Sequence, residues 1–305
     1  MTETKQSITG ARISAGSLAL RIRSKRVRHA VFESVMHVVL LSGGITFLIP
    51  FFWLVSTSLK APGKEFTFPP QWIPDPIVWS NYPNTLFGVL PFYIFFRNTI
   101  IISLISLLGV LLSSSLVAFG FARIHFAGRD LLFVVLLATM MLPDAVTLIP
   151  TFILFRMLGW IDTWLPLTVP AFFGGGAFNI FLLRQFFRTI PYDLDEAAKM
   201  DGASNFRIWW QIMLPLSKPV LATIAVLNFM GDWNAFIRPL IYITTLNKQM
   251  LGVGLAFFRG LSSGYSKWNL MMAASTMMTI PIIVLFFFAQ QYFVRGIVMT
   301  GMGGR

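Results

Sequence analysis

Asn98 to Ala122 reads NTIIISLISLLGVLLSSSLVAFGFA and holds no charged side chain. A helix rises 1.5 Å per residue, so about 20 apolar residues cross a hydrocarbon core of about 30 Å. This run is long enough to cross as a helix. A barrel strand would be about 9–11 residues long and would alternate polar with apolar positions, and this run does not alternate.

Five more apolar stretches flank it: Val35 to Thr57, Leu131 to Phe155 (interrupted only by Asp144), Leu165 to Leu183, Val220 to Thr245 (holding Asp232 and Arg238) and Leu270 to Val294. The pattern predicts an all-α, polytopic membrane protein with six transmembrane helices. Composition agrees. Of 305 residues, 56% are hydrophobic and 12% charged, about half the charge of a soluble protein. Mean hydropathy is +0.72. With no cysteine there are no disulfides or thiolate metal sites. His29, His37 and His125 show no metal-ligand spacing.

A net charge of +12 raises the question of nucleic acid. The placement of the basic residues answers it. Seven lie before residue 29, two after the second span, five after the fourth and two at the C-terminus, whereas the opposite side carries seven. That excess places both termini in the cytoplasm. The cluster Arg21 to Arg28 then faces anionic lipid headgroups rather than nucleic acid. Residues 1–29 read as a basic cytoplasmic tail, disordered or surface-lying, and lack the short apolar core of a signal peptide. Residues 30–305 read as one membrane domain. Between the first two spans lie Pro62, Pro69, Pro70, Pro74, Pro76, Pro83 and Pro91. They predict an extended outer loop, either a cover over a pore mouth or a plain solvated connection.

Arg188 to Lys218 reads RTIPYDLDEAAKMDGASNFRIWWQIMLPLSK. Asp193 and Glu196 have capping-box spacing. Ala197 and Ala198 favour helix with almost no bulk. Gly202 suits a left-handed helix end. Ser204 can cap a second helix through Met213, stopped by Pro215. Its Phe206, Trp209, Trp210 and Met213 share one face at helical spacing. Two short helices meeting at a small-residue corner are expected. Local physics alone also allows an ordinary interfacial pair resting on headgroups.

The stretches Glu196-Ala197-Ala198, Asp201-Gly202-Ala203 and Ile212-Met213-Leu214-Pro215 resemble the EAA loop of ABC-importer permeases. Ser58-Leu59-Lys60, Phe68-Pro69-Pro70, Asn81-Tyr82, Leu148-Ile149-Pro150 and the run Phe181 to Phe187 are similar to the carbohydrate-uptake branch of that family. So are Gly231-Asp232-Trp233-Asn234-Ala235-Phe236 and the run Gln291 to Gly296. Many relatives carry an acid where Ala235 stands. The chain is thus identified as similar to the carbohydrate-uptake family of ABC-importer permeases, of the maltose-importer-like, smaller-membrane-subunit type.

That resemblance implies a type I ABC-importer permease, with residues 30–305 as the permease domain and a coupling loop at about 188–216. Glu196, Ala197, Ala198, Asp201, Gly202 and Pro215 are then the ATPase-coupling residues. The implied partners are a second homologous permease, two ATP-binding-cassette subunits, an extracytoplasmic solute-binding protein and the lipid bilayer of a bacterial inner or plasma membrane. No G-x-x-x-x-G-K-[ST] phosphate loop occurs, so ATP and Mg belong to a partner chain and this chain binds no cofactor itself. The cargo expected is a sugar or related polyol.

Polar groups within a span face protein or water. Asn228 and Asp232 are spaced i, i+4, as are Asn234 and Arg238, so each pair can share a helix face. Together with Trp233 as a stacking ring, and with Asn179 and Asp144, they are the substrate-path candidates. The same groups can instead simply satisfy neighbouring helices. A secondary transporter or channel that relays ions through Asp144 and Asp232 is the alternative function.

Overall fold

The computed structural model describes residues 3–88, 90–260 and 267–301, with side chains at 29, 31–88, 90–258 and 267–290. The Gln291 to Gly296 motif, Arg305 and most basic side chains of the N-terminal tail lie outside the described side chains. The described residues hold helices and no strand. In chain order they are α1 Glu3–Ser58, α2 Asn81–Phe87, α3 Phe92–Arg123, α4 Arg129–Thr139, α5 Asp144–Met157, α6 Leu165–Thr168 and α7 Ala177–Thr189. There follow α8 Asp193–Met200, α9 Asn205–Ile208, α10 Leu214–Leu216, α11 Lys218–Trp233, α12 Ile237–Tyr242, α13 Leu251–Gly260 and α14 Trp268–Gly301. The chain divides into two units, Met1–Ser56 and Thr57–Arg305.

The first unit is helical from Glu3, through the residues read as a tail. Its apolar side chains Val38, Leu41, Phe47 and Leu48 are exposed.

The second unit is built on α3. Its 32 residues make a rod of about 48 Å. Toward its C-terminal end, Ala118, Phe119 and Ala122 join Leu183 and Phe187 of α7 and Ile224 of α11 in one core. Toward its N-terminal end, Phe92 and Phe95 join Trp233, Leu251, Phe258, Leu270 and Ala274 in another.

Four helical runs, starting at Val31, Phe92, Leu165 and Trp268, are long and apolar enough to cross a membrane, and two bent pairs bring the number up to six. Breaks in the helices interrupt three of the expected spans. Leu131 to Phe155 turns by 99° between α4 and α5. Pro143 stands at the turn with φ −62° and ψ 139°. It lacks an N–H and keeps Leu142 out of helical geometry. Val220 to Thr245 ends as a helix at Trp233, because the Pro239 ring clashes with the carbonyl four residues earlier, at Ala235. A second bend, of 79°, separates Asn205–Leu216 from α11. The fourth span is interrupted as well. Gly174, Gly175 and Gly176 have φ of 96°, 63° and 89°, a left-handed run that only glycine adopts without strain.

The proline-rich segment between Ser58 and Asn81 forms no helix. Asn81 Nδ2 donates to the carbonyls of Ser58 at 2.8 Å and Lys60 at 2.9 Å. Asn269 Nδ2 at the start of α14 donates to Asn81 Oδ1 at 3.0 Å. The loop is therefore fastened to α14. None of its residues lines the large cavity described next.

Candidate functional site

The breaks in the third, fourth and fifth spans converge. A cavity of about 640 Å³ is lined by Asp144 just after the first break, Gly175 and Gly176 at the second, and Ala235 and Phe236 at the third. Irregular backbone at membrane depth persists only where protein or a water-filled cavity satisfies its polar groups. Ile102, Ser106 and Val110 of α3 form the opposing wall. At Gly175 a Cβ would lie 2.7 Å from the Val110 carbonyl oxygen, so glycine lets this backbone press against α3.

Four of the expected path residues reach the cavity: Asp144, Asn179, Asn228 and Asp232. Asn179 donates to the Gly175 carbonyl at 2.7 Å. Asn228 donates to the Ile224 carbonyl at 2.8 Å. One carboxylate oxygen of Asp232 is enclosed with no hydrogen-bond partner. Arg238 Nη2 lies 3.3 Å from Asp144 Oδ2, the two side chains being 62% and 90% exposed. This pair borders a second cavity of about 570 Å³, lined also by Thr147, Thr151 and Tyr242.

Trp233 and Asn234 do not line the cavity. Trp233 is 1% exposed. Its Nε1 donates to the Met278 carbonyl at 3.1 Å, and its ring packs on Phe96 and Phe229. It is a core residue between helices, not a surface for stacking. Asn234 donates to the Met230 carbonyl at 2.8 Å. Because α11 stops at Trp233, before Asn234, and Arg238 belongs to α12, the i, i+4 argument fails for that pair.

The second candidate region is the corner after α7. Helix α8 begins one residue earlier than expected and has no capping box. Its N-cap is Tyr192, which makes no side-chain cap bond. Asp193 is already the first helical residue. With Asp195 and Glu196 it puts acid in the first turn, where the helix dipole favours it. The C-terminal end matches expectation. Gly202 has φ +76°. Its N–H bonds the Lys199 carbonyl at 3.0 Å, and the Ala203 N–H bonds the Ala198 carbonyl at 2.9 Å. These two bonds are a Schellman closure.

Beyond the corner, Ser204 Oγ accepts from the Arg207 N–H at 3.3 Å. The helix then widens into a π turn over Trp209–Met213 and runs on to Leu216. Pro215 thus lies inside the helical run instead of stopping it. Its ring and missing N–H disfavour the ordinary i→i−4 ladder there, and the wider turn relieves this. The buried face is Ile208, Trp209 and Met213, with Phe206 and Trp210 exposed. A π turn places residues five apart on one side, so α-helical spacing misassigned that face.

On α8, Ala198 packs on the core and Ala197 and Glu196 face outward. Met200 is 88% exposed, and Leu194 is also exposed. Asp195 points the other way. It is buried, and its Oδ2 lies 3.3 Å from Arg123 Nε at the end of α3. Burial pushes the Asp195 carboxyl up, against the opposing pull of Arg123 and Lys199. Sequence reading missed this pair, because Arg123 registered only as a charge marking which side of the membrane a loop occupies.

Residues 107–299, which include the corner and most of the cavity lining, match the family described as binding-protein-dependent transport system inner membrane component. The chain belongs to that family. It is 30% identical over 257 residues to the diacetylchitobiose uptake system permease protein NgcG of Streptomyces coelicolor, covering 84% of each chain. It is 31% identical over 267 residues to the sn-glycerol-3-phosphate transport system permease protein UgpE of Yersinia pestis, covering 86% of this chain and 94% of that one. Among solved structures it resembles a chain from the crystal structure of a bacterial ABC transporter involved in the import of the acidic polysaccharide alginate. The TM-score is 0.75 and the identity 28%, over 86% of this chain and 96% of that one. This inner membrane component is therefore a multi-pass, all-α permease of the type I ABC-importer fold. Family membership displaces the ion-relaying alternative for Asp144 and Asp232.

Proposed function

We propose that this permease forms half of the translocation path for a sugar or related polyol, beside a second homologous permease, two ATPase subunits and a solute-binding protein. Both termini are cytoplasmic in this reading, and α8 is the helix that docks on an ATPase. ATP and Mg belong to that partner. The observation carrying the proposal is the α8 corner. A short helix with outward Glu196, Ala197 and Met200 is locked by Gly202 into a turn, on a chain whose α3 lines a polar cavity with Ile102, Ser106 and Val110.

The cavity chemistry suits a hydroxyl-rich cargo. Asn179, Asn228, Asp144 and Asp232 offer amide and carboxylate groups, which pair with hydroxyls as donors and acceptors. The named cargoes of the relatives, diacetylchitobiose and sn-glycerol-3-phosphate, are both rich in oxygen.

The test is reconstitution of the complete complex in liposomes with its binding protein. Uptake of labelled maltose, diacetylchitobiose and sn-glycerol-3-phosphate is measured with and without MgATP. Uptake of one of these only with MgATP and the ATPase is expected. Transport by the purified chain alone, driven by an ion gradient, would refute the proposal.

A further inference from the structure

We propose that Arg123 is a positioning residue that fastens the coupling helix α8 to α3, so that displacement of α8 reaches the cavity as displacement of α3. The inference rests on reading α8 as the ATPase-facing element.

One guanidinium gathers several elements. The Arg123 and Asp195 side chains are 2% and 6% exposed, with Nε and Oδ2 3.3 Å apart. Arg123 Nη2 donates to the carbonyls of Phe187 at 2.9 Å and Ile190 at 2.7 Å. Phe187 lies in the last turn of α7, where its carbonyl also accepts from the Ile190 N–H at 3.2 Å, and Ile190 is the residue just after the helix. The guanidinium carbon sits 4.2 Å from the centre of the Tyr192 ring. The Tyr192 hydroxyl donates in turn to the Ala122 carbonyl at 2.9 Å. The linker into α8 is thus held from both sides by the last turn of α3.

Stability alone is a poor reason for this arrangement. A buried ion pair is often no better than an apolar pair of similar volume. Here Arg123 Nε and Nη1 and Asp195 Oδ1 are all enclosed without hydrogen-bond partners, so the two side chains meet as a charge pair and not through a hydrogen bond, which adds to the burden. What the pair supplies is fixed geometry, because a planar guanidinium directs several bonds at once. The rod it joins leads to the cavity. Ser106 of α3 lines the cavity, about 25 Å along the helix from Arg123. Among the described helices that line it, α3 is the longest, and no proline interrupts it.

The chain has no cysteine, so Ser106→Cys gives a single reporter on α3. The experiment follows its labelling by a maleimide in the complete complex with binding protein, before and after trapping with MgATP and vanadate. A change in labelling rate of about five-fold or more is expected with Arg123 and Asp195 intact. In Asp195→Asn, and in Arg123→Met combined with Asp195→Leu, the ATPase should still co-purify while that change disappears. The paired variant leaves no buried charge, so it separates geometry from folding. A full-sized labelling change in it overturns the proposal, even if less complex is recovered. If the paired variant does not assemble, Arg123→Lys decides: it keeps the charge but not the several directed bonds, and a full-sized change there overturns the proposal. No change in the unaltered complex overturns it too. Gly202→Val separates the two readings. Normal attachment and trapping in Gly202→Val sinks the assignment of α8 itself. A defect there beside normal Arg123 variants sinks only the fastening.

Discussion

Asn179 and Asn228 bond to each other twice, each side-chain amide donating to the other's carbonyl oxygen at 3.2 Å. The pair joins α7 to α11 in the cavity wall. Hydrogen bonds between helices in a membrane contribute only about 0.6 kcal/mol on average, so the pair is a modest clamp at a position open to cargo. Asn228→Ala is expected to leave the amount of assembled complex nearly unchanged. It should raise the half-saturation concentration for uptake about ten-fold, equivalent to one or two lost hydrogen bonds. Asn234→Ala, whose side chain bonds its own helix outside the cavity, should leave that concentration unchanged. Uptake titrations of the two variants decide. Equal values for Asn228→Ala and the parent protein would remove the amide pair from the path.

Trp233 should behave as packing. Replacing a buried tryptophan by alanine costs about 3–5 kcal/mol. Trp233→Phe keeps most of the volume and loses one hydrogen bond, to a carbonyl inside α14, at about 0.5–1.5 kcal/mol. Thermal unfolding in detergent should show Trp233→Ala far below Trp233→Phe. Uptake per assembled complex in Trp233→Phe should keep its half-saturation. A marked rise in half-saturation with unaltered stability would restore Trp233 to the cargo path.

The sequence carried some of this and hid the rest for physical reasons. Length and hydropathy sufficed for the spans, because lipid forbids unpaired backbone. The turn at Gly202 was legible, because a small-residue corner needs positive φ at one position. The breaks were not legible, although Pro143 and Pro239 are their agents. Hydropathy averaged over a window runs straight through a proline. Trp233 follows Asp232 by one residue, about 100° around a helix, so the face that brings Asp232 to the cavity turns Trp233 away. The Arg123–Asp195 pair depends on packing between elements distant in sequence, and no local pattern announces it.

Asp162 gives a pH-dependent test. It sits at φ +61°, and its carboxylate accepts from the Thr245 hydroxyl at 2.6 Å, the Thr245 N–H at 2.8 Å and Lys248 Nζ at 2.9 Å. The Thr245 hydroxyl first, then the Thr245 N–H and Lys248, hold this carboxyl well below the usual carboxylate range. A carboxyl depressed in the folded state stabilises fully above its unfolded value and loses that contribution as pH falls toward its folded value. Asp162→Asn tolerates the same left-handed backbone. The melting temperature of the parent should therefore exceed that of Asp162→Asn at neutral pH, and the gap should close as pH drops below about 4. A gap independent of pH would show that charge plays no part.

Orientation can be read with single cysteines, since the chain supplies none of its own. Ser80 precedes α2, and Ser204 caps α9. With both termini inside, an impermeant maleimide should label Ser80→Cys in intact cells and Ser204→Cys only after the membrane is opened. The reverse pattern would invert the topology and place α8 where no ATPase can reach it.

Gly202→Val tests the docking corner with little ambiguity about packing. A Cβ built at Gly202 meets nothing within 4 Å, so the added Cβ itself creates no clash. The difficulty is the backbone. A β-branched residue at φ +76° is strained by about 1–3 kcal/mol. The Gly202 and Ala203 N–H bonds to the Lys199 and Ala198 carbonyls both depend on that conformation. Relaxing the strain re-aims α8 and the outward Glu196, Ala197 and Met200 with it. The cores beneath involve other residues, so insertion and the yield of membrane protein should stay near normal. Co-purification of the ATPase should fall, or hydrolysis should lose its response to loaded binding protein. Gly202→Asn is the control, because asparagine adopts positive φ with much less strain, and it should recover most of the attachment. If Gly202→Val binds the ATPase normally and hydrolysis responds as in the parent, α8 is not the docking helix. If Gly202→Asn fails as badly as Gly202→Val, the surface at residue 202 matters rather than the turn it makes.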